Sequence, residues 1–241
     1  MKASGDGNGS GSGNGAGKAT GKLQALVFDF DGTLAELHLN FAEMKRRVSV
    51  LAEGYLQTVP SQLSVRALEW IEVLAEAVEK AKESTGGEFR ERSRKIIVEM
   101  ELEAARRGAL FPFTRPILAD LHRKGIKIAI ITRNCERAVR IVFPDVEDYC
   151  SSFLTRDHVP RIKPDPDHLL RALKALGIPP DKALMVGDHP LDVRTGKGAG
   201  ALTAGVWSGS ASRTDLVGSG ADWTAPDCET LIRELQERDL I

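Results

Sequence analysis

Three short apolar runs in this chain each stop on a cluster of polar residues: 25–28 on Asp29-Phe30-Asp31-Gly32-Thr33, 126–131 on Thr132-Arg133-Asn134, and 183–186 on Gly187-Asp188. An apolar run this short that ends abruptly reads as a buried strand entering a loop. Between the later runs the apolar spacing changes to three and four. That spacing predicts a helix near 115–124 with Gly125 as its stop, and another over about 136–142. A further helix opens with Asp165 as N-cap and Pro166 at its first position, and ends at Gly177. Weaker runs at 152–155 and 201–207 bring the expected strands to five. Strands alternating with helices predict a mostly parallel sheet covered on both faces, a doubly wound, Rossmann-like α/β core.

The stretch from about 37 to 110 follows a different rule. Phe41, Met44, Val48, Leu51 and Tyr55 recur at helical spacing, as do Leu68, Ile71, Leu74 and Val78, and again Phe89, Ile96, Met100 and Ala104. Three amphipathic helices without a strand, with Gly86-Gly87 as one turn, predict an inserted α-helical cap over 37–110. The core then comprises 22–36 and 111–241. Residues 1–21 are so rich in Gly, Ser and Asn that a flexible tail is expected there.

The bulk numbers narrow the partners. Lys plus Arg (33) nearly balances Asp plus Glu (34), so no global basic field draws the chain to nucleic acid or to an anionic membrane. The apolar runs are too short to span a bilayer and the N-terminus carries no hydrophobic signal, so a cytoplasmic location is expected. Cys135, Cys150 and Cys228 lack metal-ligand spacing and cannot all pair with one another, which fits free thiols. Composition leaves the oligomeric state open.

In open α/β sheets ligands bind at the carboxyl edge, and Asp29, Thr132 and Asp188 each follow the end of a strand, with Lys163 in the loop after another. One crevice would therefore collect Asp29 and Asp31, a hydroxyl, an ammonium, and the pair Asp188 and Asp192. Two ionised carboxylates about 4 Å apart repel by roughly 4 kcal/mol at an effective dielectric near 20. A hard divalent cation relieves that repulsion, and all-oxygen ligands point to magnesium. Lys163 and Thr132 supply a charge and a hydroxyl for phosphate oxygens. The expected ligand is thus a small phosphate ester.

Asp29-Phe30-Asp31-Gly32-Thr33-Leu34, Thr132, Lys163-Pro164-Asp165-Pro166 and Gly187-Asp188-His189-Pro190-Leu191-Asp192 resemble, in order and spacing, the four signature motifs of the haloacid-dehalogenase-like superfamily. The resemblance runs from about residue 24 to the C-terminus, and the helical insert is similar to the cap of the phosphoglycolate phosphatase and β-phosphoglucomutase branch. It implies Asp29 as nucleophile and Asp31 as general acid and base with its main-chain carbonyl on the metal. Thr132 and Lys163 would bind phosphate, with the adjoining Arg133 and Asn134 in the same set. Asp188 would ligate the metal, and Asp192 would fix Asp188, the metal or its waters. The magnesium set is then Asp29, Asp31, Asp188 and Asp192. Where that branch often continues Val-Asp-Ser, this chain has Ala35-Glu36-Leu37, and Arg133 stands where Asn often follows the Thr; neither change removes a chemical group.

Local readings compete at several positions. An isolated Asp-x-Asp-Gly is commonly a turn, and Asp192 could simply cap the following helix. Gly17-Lys18 lacks the glycine, hydroxyl and preceding strand of a P-loop, and the glycines of 196–200 read as a helix-to-strand turn. Cys135 and Arg140 are one residue too close for a thiol-phosphatase loop, so Cys135 reads as a packed thiol. Lys45, Arg46 and Arg47 suit either the pocket or a solvated helix face, and the histidines are unassigned. The set of motifs predicts a magnesium-dependent phosphatase working through an aspartyl phosphate. A phosphomutase remains the alternative, and less so a non-catalytic binding module. A halide leaving group would need no general acid, which disfavours a dehalogenase.

Overall fold

A computed structural model describes residues 21–61 and 65–241. The expected tail and Gly17-Lys18 lie outside the described residues, apart from Gly21. From the N-terminal side come β1 (Ala25–Phe28), β2 (Ala35–Glu36), then the helices α1 (Phe41–Glu53), α2 (Ala67–Ala81) and α3 (Gly86–Ala105), and β3 (Ala109–Leu110). There follow α4 (Thr114–Arg123), β4 (Lys127–Ile131), α5 (Glu136–Val142), β5 (Ser152–Leu154), α6 (Asp167–Leu176) and β6 (Ala183–Gly187). Last come α7 (Pro190–Ala199), β7 (Leu202–Val206), α8 (Arg213–Gly218), β8 (Trp223–Ala225) and α9 (Cys228–Glu237).

Six strands form one sheet in the order β5-β4-β1-β6-β7-β8, every neighbouring pair parallel. β1 lies inside it, and all four of its residues are buried because both faces are covered. Alternation along the strands sends Leu26, Phe28, Ile130 and Val186 to one core with α4, α5 and α9, and Ala25, Val27, Ile131 and Met185 to another with α6. From β1 the chain moves outward through β4 and β5, then returns to β6 on the other side of β1. That reversal opens a crevice at the carboxyl edge beside β1.

The helices α1 to α3 share a separate apolar cluster, with Trp70, Ile71, Leu74 and Val78 of α2 packed against Met44 and Val48 of α1 and Phe89 and Ile97 of α3. The indole of Trp70 is buried, and its N–H donates to Ser49 Oγ at 2.9 Å, so the large apolar body is packed and its one donor satisfied. The chain leaves the core and re-enters it through the antiparallel pair β2 and β3, Ala35 opposite Leu110 and Glu36 opposite Ala109.

Several local expectations are corrected. Gly86 and Gly87 begin α3 instead of forming the turn, which falls at Ser84 with φ 65°. A Cβ on Gly86 would lie 2.8 Å from the Ala75 carbonyl, so glycine lets α3 start against α2. The helix after Lys163 begins at Asp167, with Pro166 outside it and Asp165 Oδ1 accepting from Asp167 N at 2.9 Å. Gly196 and Gly198 lie within α7, and only Gly200, at φ 77°, makes the turn into β7. The sheet has a sixth strand, β8, with only three residues and no apolar run to announce it.

Candidate active site

Asp29 follows the last residue of β1, and its N–H donates to the Val186 carbonyl at 2.8 Å, so the carboxylate leaves the sheet at its carboxyl edge. Its Oδ1 lies 2.7 Å from Lys163 Nζ and accepts from Phe30 N at 2.6 Å. Lys163, 1% exposed, donates from the same Nζ to Asp192 Oδ1 at 2.7 Å. Burial alone would favour the neutral amine. The charges of Asp192 and Asp29 outweigh it and hold the Lys163 pKa above its usual value.

Asp192 performs two tasks with two oxygens. While Oδ1 holds the ammonium, Oδ2 accepts from His189 N at 3.1 Å and closes a capping box at the start of α7. The helix cap and the site contact are thus both present. A Cβ on Gly187 would lie 2.2 Å from Asp192 Cγ, so glycine at the end of β6 makes room for the carboxylate to fold back.

Asp188 is fixed by a loop that the motif reading did not include. Ser210 donates to Asp188 Oδ2 from its N at 2.7 Å and from Oγ at 3.1 Å, and Ser208 Oγ donates to the Gly32 carbonyl at 2.7 Å. Gly32, at φ 76°, and Gly209 press against this carboxylate: a Cβ on either would lie 2.6 Å or less from an Asp188 side-chain atom. The available signal was positional, since residues 208–210 follow β7 at the same carboxyl edge.

One carboxylate oxygen each from Asp29, Asp188 and Asp192 lie within 4.8 Å of one another. Burial is the largest influence on Asp29 and Asp188, and neighbouring negative charge adds to it; Asp29 is raised and Asp188 is pushed up to about 7. Asp31 goes up to about 8, mainly through burial, although its Oδ1 accepts from Leu37 N at 2.9 Å. Lys163, the ammonium bonded within this cluster, does not by itself balance the carboxylates of Asp29, Asp31, Asp188 and Asp192. The all-oxygen donor set and that unbalanced charge fit a hard divalent cation such as magnesium.

Thr132 is buried beside this cluster, and its Oγ1 accepts from Asn134 N at 3.2 Å, which leaves the hydroxyl proton available. The Asn134 amide nitrogen is buried with no hydrogen-bond partner among the described residues, and Asn134 lines the cavity. An unpaired donor at such a place costs about 1–3 kcal/mol unless a ligand oxygen meets it. Arg133 is engaged at both ends: it donates to the Lys163 carbonyl at 2.6 Å and to Glu69 of α2 at 2.8 Å. Its guanidinium bridges the core to the helical insert.

The crevice opens into a cavity of about 670 Å³. Phe41, Met44, Lys45, Arg66 and Leu68 from the insert line it opposite the aspartates. Of the three basic residues in α1, Lys45 therefore faces the cavity, whereas Arg46 and Arg47 pair with Glu43 in the exposed part of the helix. His189 Nδ1 accepts from Leu191 N at 3.0 Å, and burial beside Arg66 lowers its pKa to about 4, so it stays a neutral helix cap. Cys135 is buried and its thiol is pushed up to about 11, first by burial and then by the Glu101 charge, which makes it unreactive.

The family model for haloacid dehalogenase-like hydrolases matches residues 23–200, which contain Asp29, Thr132, Lys163, Asp188 and Asp192. The chain belongs to the haloacid dehalogenase-like hydrolases. A haloacid dehalogenase-like hydrolase domain-containing protein of Arabidopsis thaliana is 32% identical over 186 residues, covering 77% of this chain and 71% of that protein. A phosphoglycolate phosphatase of Aquifex aeolicus is 30% identical over 190 residues, 76% of this chain and 84% of its own. Among solved structures, a hydrolase from Pseudomonas syringae superposes with a TM-score of 0.66 at 22% identity, over 89% of this chain and 98% of that one. That likeness carries the hydrolase fold across the sheet and the insert together. Ser210, which donates to Asp188, lies beyond the stretch matched to this hydrolase family. Among the described residues, no helix is long and apolar enough to cross a membrane.

Proposed function

We propose that the chain is a magnesium-dependent phosphatase acting on a small-molecule phosphate monoester through an aspartyl phosphate on Asp29. The observation that carries this reading is the buried Lys163 ammonium 2.7 Å from both Asp29 and Asp192, in a cavity that Asp188 also lines together with an Asn134 amide that has no partner among the described residues. Such a floor is charged to hold a phosphoryl group, and its donors face the cavity. The name of the Aquifex aeolicus relative adds support. Asp29, the main-chain carbonyl of Asp31, Asp188 and Asp192 would hold magnesium, with Asp192 acting largely through Lys163. When bound, magnesium supplies positive charge to phosphoryl oxygens.

Asp29 attacks phosphorus in line, forming the carboxyl oxygen to phosphorus bond as the ester oxygen departs. Asp31 donates a proton to that oxygen. In the second half, Asp31 takes a proton from water, which attacks the same phosphorus and frees Asp29. Thr132, Asn134 and Lys163 orient the phosphoryl oxygens, and Arg133 steadies the loop carrying two of them. The insert over 37–110 is read as a cap domain that excludes water and meets the leaving group through Lys45, Arg66 and the apolar wall. A panel of sugar phosphates, nucleotides, phosphoglycolate and pyrophosphate, assayed with magnesium for free phosphate, tests the proposal. Release from one member supports it; conversion of a sugar phosphate to its isomer without release would make the enzyme a mutase.

A further inference from the structure

Glu101 of α3 and Arg156 form a bidentate pair, buried to 5% and 12% side-chain exposure, at the back of the Thr132 loop. Arg156 donates to both carboxylate oxygens, Nη2 to Oε2 at 2.8 Å and Nη1 to Oε1. Each partner also holds the loop backbone: Arg156 Nη1 donates to the Arg133 carbonyl at 2.8 Å, and Cys135 N donates to Glu101 Oε2 at 3.2 Å. The pair thus grips a carbonyl and an N–H on either side of Asn134. Both oxygens of Glu101 are engaged by these donors, although the residue borders the cavity.

Burying two charges costs desolvation that a bidentate pair only partly offsets, so stability alone is a weak reason for such a pair. The loop contacts give a better one. Thr132 and Asn134 present a hydroxyl and an amide to the cavity, and among the described residues the amide has no partner and neither side chain bonds to the rest of the core outside the loop. We propose that Glu101 and Arg156 are positioning residues that set the Thr132–Asn134 donors against the phosphoryl group, and that they anchor this core loop to the last full turn of the insert's α3. The inference rests on the phosphatase reading for its kinetic consequence, but not for its structural one.

The test uses the full-length protein and three variants. Glu101→Gln keeps an acceptor for Cys135 N and weakens the hold on Arg156. Arg156→Lys keeps the charge without the fork. The double variant Glu101→Leu with Arg156→Met removes both charges together and so avoids stranding either one in the interior. Hydrogen exchange of a peptide covering residues 132–136, which involves no substrate, should quicken in the double variant while peptides from β1 and β6 are unchanged. Inorganic phosphate as inhibitor should bind more weakly. kcat/KM for the best ester should fall about tenfold to a hundredfold, the scale of an ångström of misplacement, with Glu101→Gln intermediate. A double variant that is folded, with exchange at 132–136 and phosphate inhibition both within twofold of wild type, would overturn the proposal. Faster exchange at 132–136 in the double variant, together with a wild type that hydrolyses no phosphate ester, would instead sink the phosphatase reading and leave the anchoring intact.

Discussion

Gly209 has no side chain to contribute, yet a Cβ there would sit 2.2 Å from Asp188 Oδ2 and 2.7 Å from the Gly32 Cα. Gly209→Ala should displace Asp188 while leaving the strands in place, raising the magnesium concentration needed for half-maximal activity about 10- to 100-fold, as loss of support around a metal ligand typically does. Gly87→Ala is the control: nothing lies within 4 Å of its Cβ, and alanine suits α3, so activity should be unchanged and stability equal or slightly higher. An unchanged magnesium dependence in Gly209→Ala would mean that Asp188 holds no metal. His168 makes a second residue-level case. It is fully buried, its Nε2 lies 3.0 Å from the Leu154 carbonyl, and its Nδ1 accepts from Lys163 N at 3.4 Å, an arrangement suited to the neutral ring. Burial, reinforced by the Lys163 charge, lowers its pKa from 6.5 to about 4. Above pH 6.5 the ring is neutral folded and unfolded; between about 6.5 and 4 only the unfolded chain takes up the proton. Stability should therefore fall as the pH drops through that window, by up to about 3 kcal/mol from this residue. Denaturant midpoints from pH 7 to pH 4 should slope less in His168→Gln, and identical slopes would contradict the assignment.

At the scale of elements, legibility followed apolar run length. β1, β4 and β6 are four or five residues long and almost wholly buried, so their runs stood out and their polar ends marked the site. β8, β2 and β3 are three, two and two residues long, and their strand character comes from pairing partners far along the chain. The same limit hid part of the site: Asp29, Lys163, Asp188 and Asp192 carry their chemistry in their names, whereas Ser210 matters through where β7 delivers it. The Glu101 and Arg156 pair had no signature, because charged residues 55 positions apart meet only after folding. Arg133 likewise looked like a phosphate ligand from its place beside Thr132, and the folded chain commits it to Glu69 of α2 and the Lys163 carbonyl. Glu69 is 41% exposed at its side chain, so the ion pair contributes at most about 1 kcal/mol to stability. Glu69→Gln should leave the melting temperature nearly unchanged and alter KM severalfold by freeing Arg133 and loosening the insert. A large stability loss with unaltered KM would show that the bridge is structural only.

Across the whole molecule, the insert and the sheet keep separate apolar clusters joined through β2, β3 and the end of α3. Truncating Trp70, a fully buried indole at the centre of the insert's apolar cluster, should cost about 3–5 kcal/mol, and the loss should fall on the insert first. Hydrogen exchange in Trp70→Ala should rise across α1 to α3 with the sheet still protected; uniform loss of protection would mean that insert and core unfold as one. The proposed chemistry, by contrast, belongs to the core, where the phosphatase reading gives Asp29 and Asp31 unequal tasks. Asp29→Asn lacks the nucleophile and should form neither product nor phosphoenzyme. Asp31→Asn keeps the nucleophile and loses proton transfer, which typically costs about a hundred- to ten-thousand-fold. With an ester whose leaving group needs little protonation, that variant should be phosphorylated slowly, and the adduct should persist because no side chain activates water. Intact-protein mass spectrometry of both variants, after incubation with such an ester and magnesium, reads the difference directly: a phosphate adduct mapping to Asp29 in Asp31→Asn and none in Asp29→Asn is the expected result, whereas an adduct that forms without the Asp29 carboxylate would contradict it.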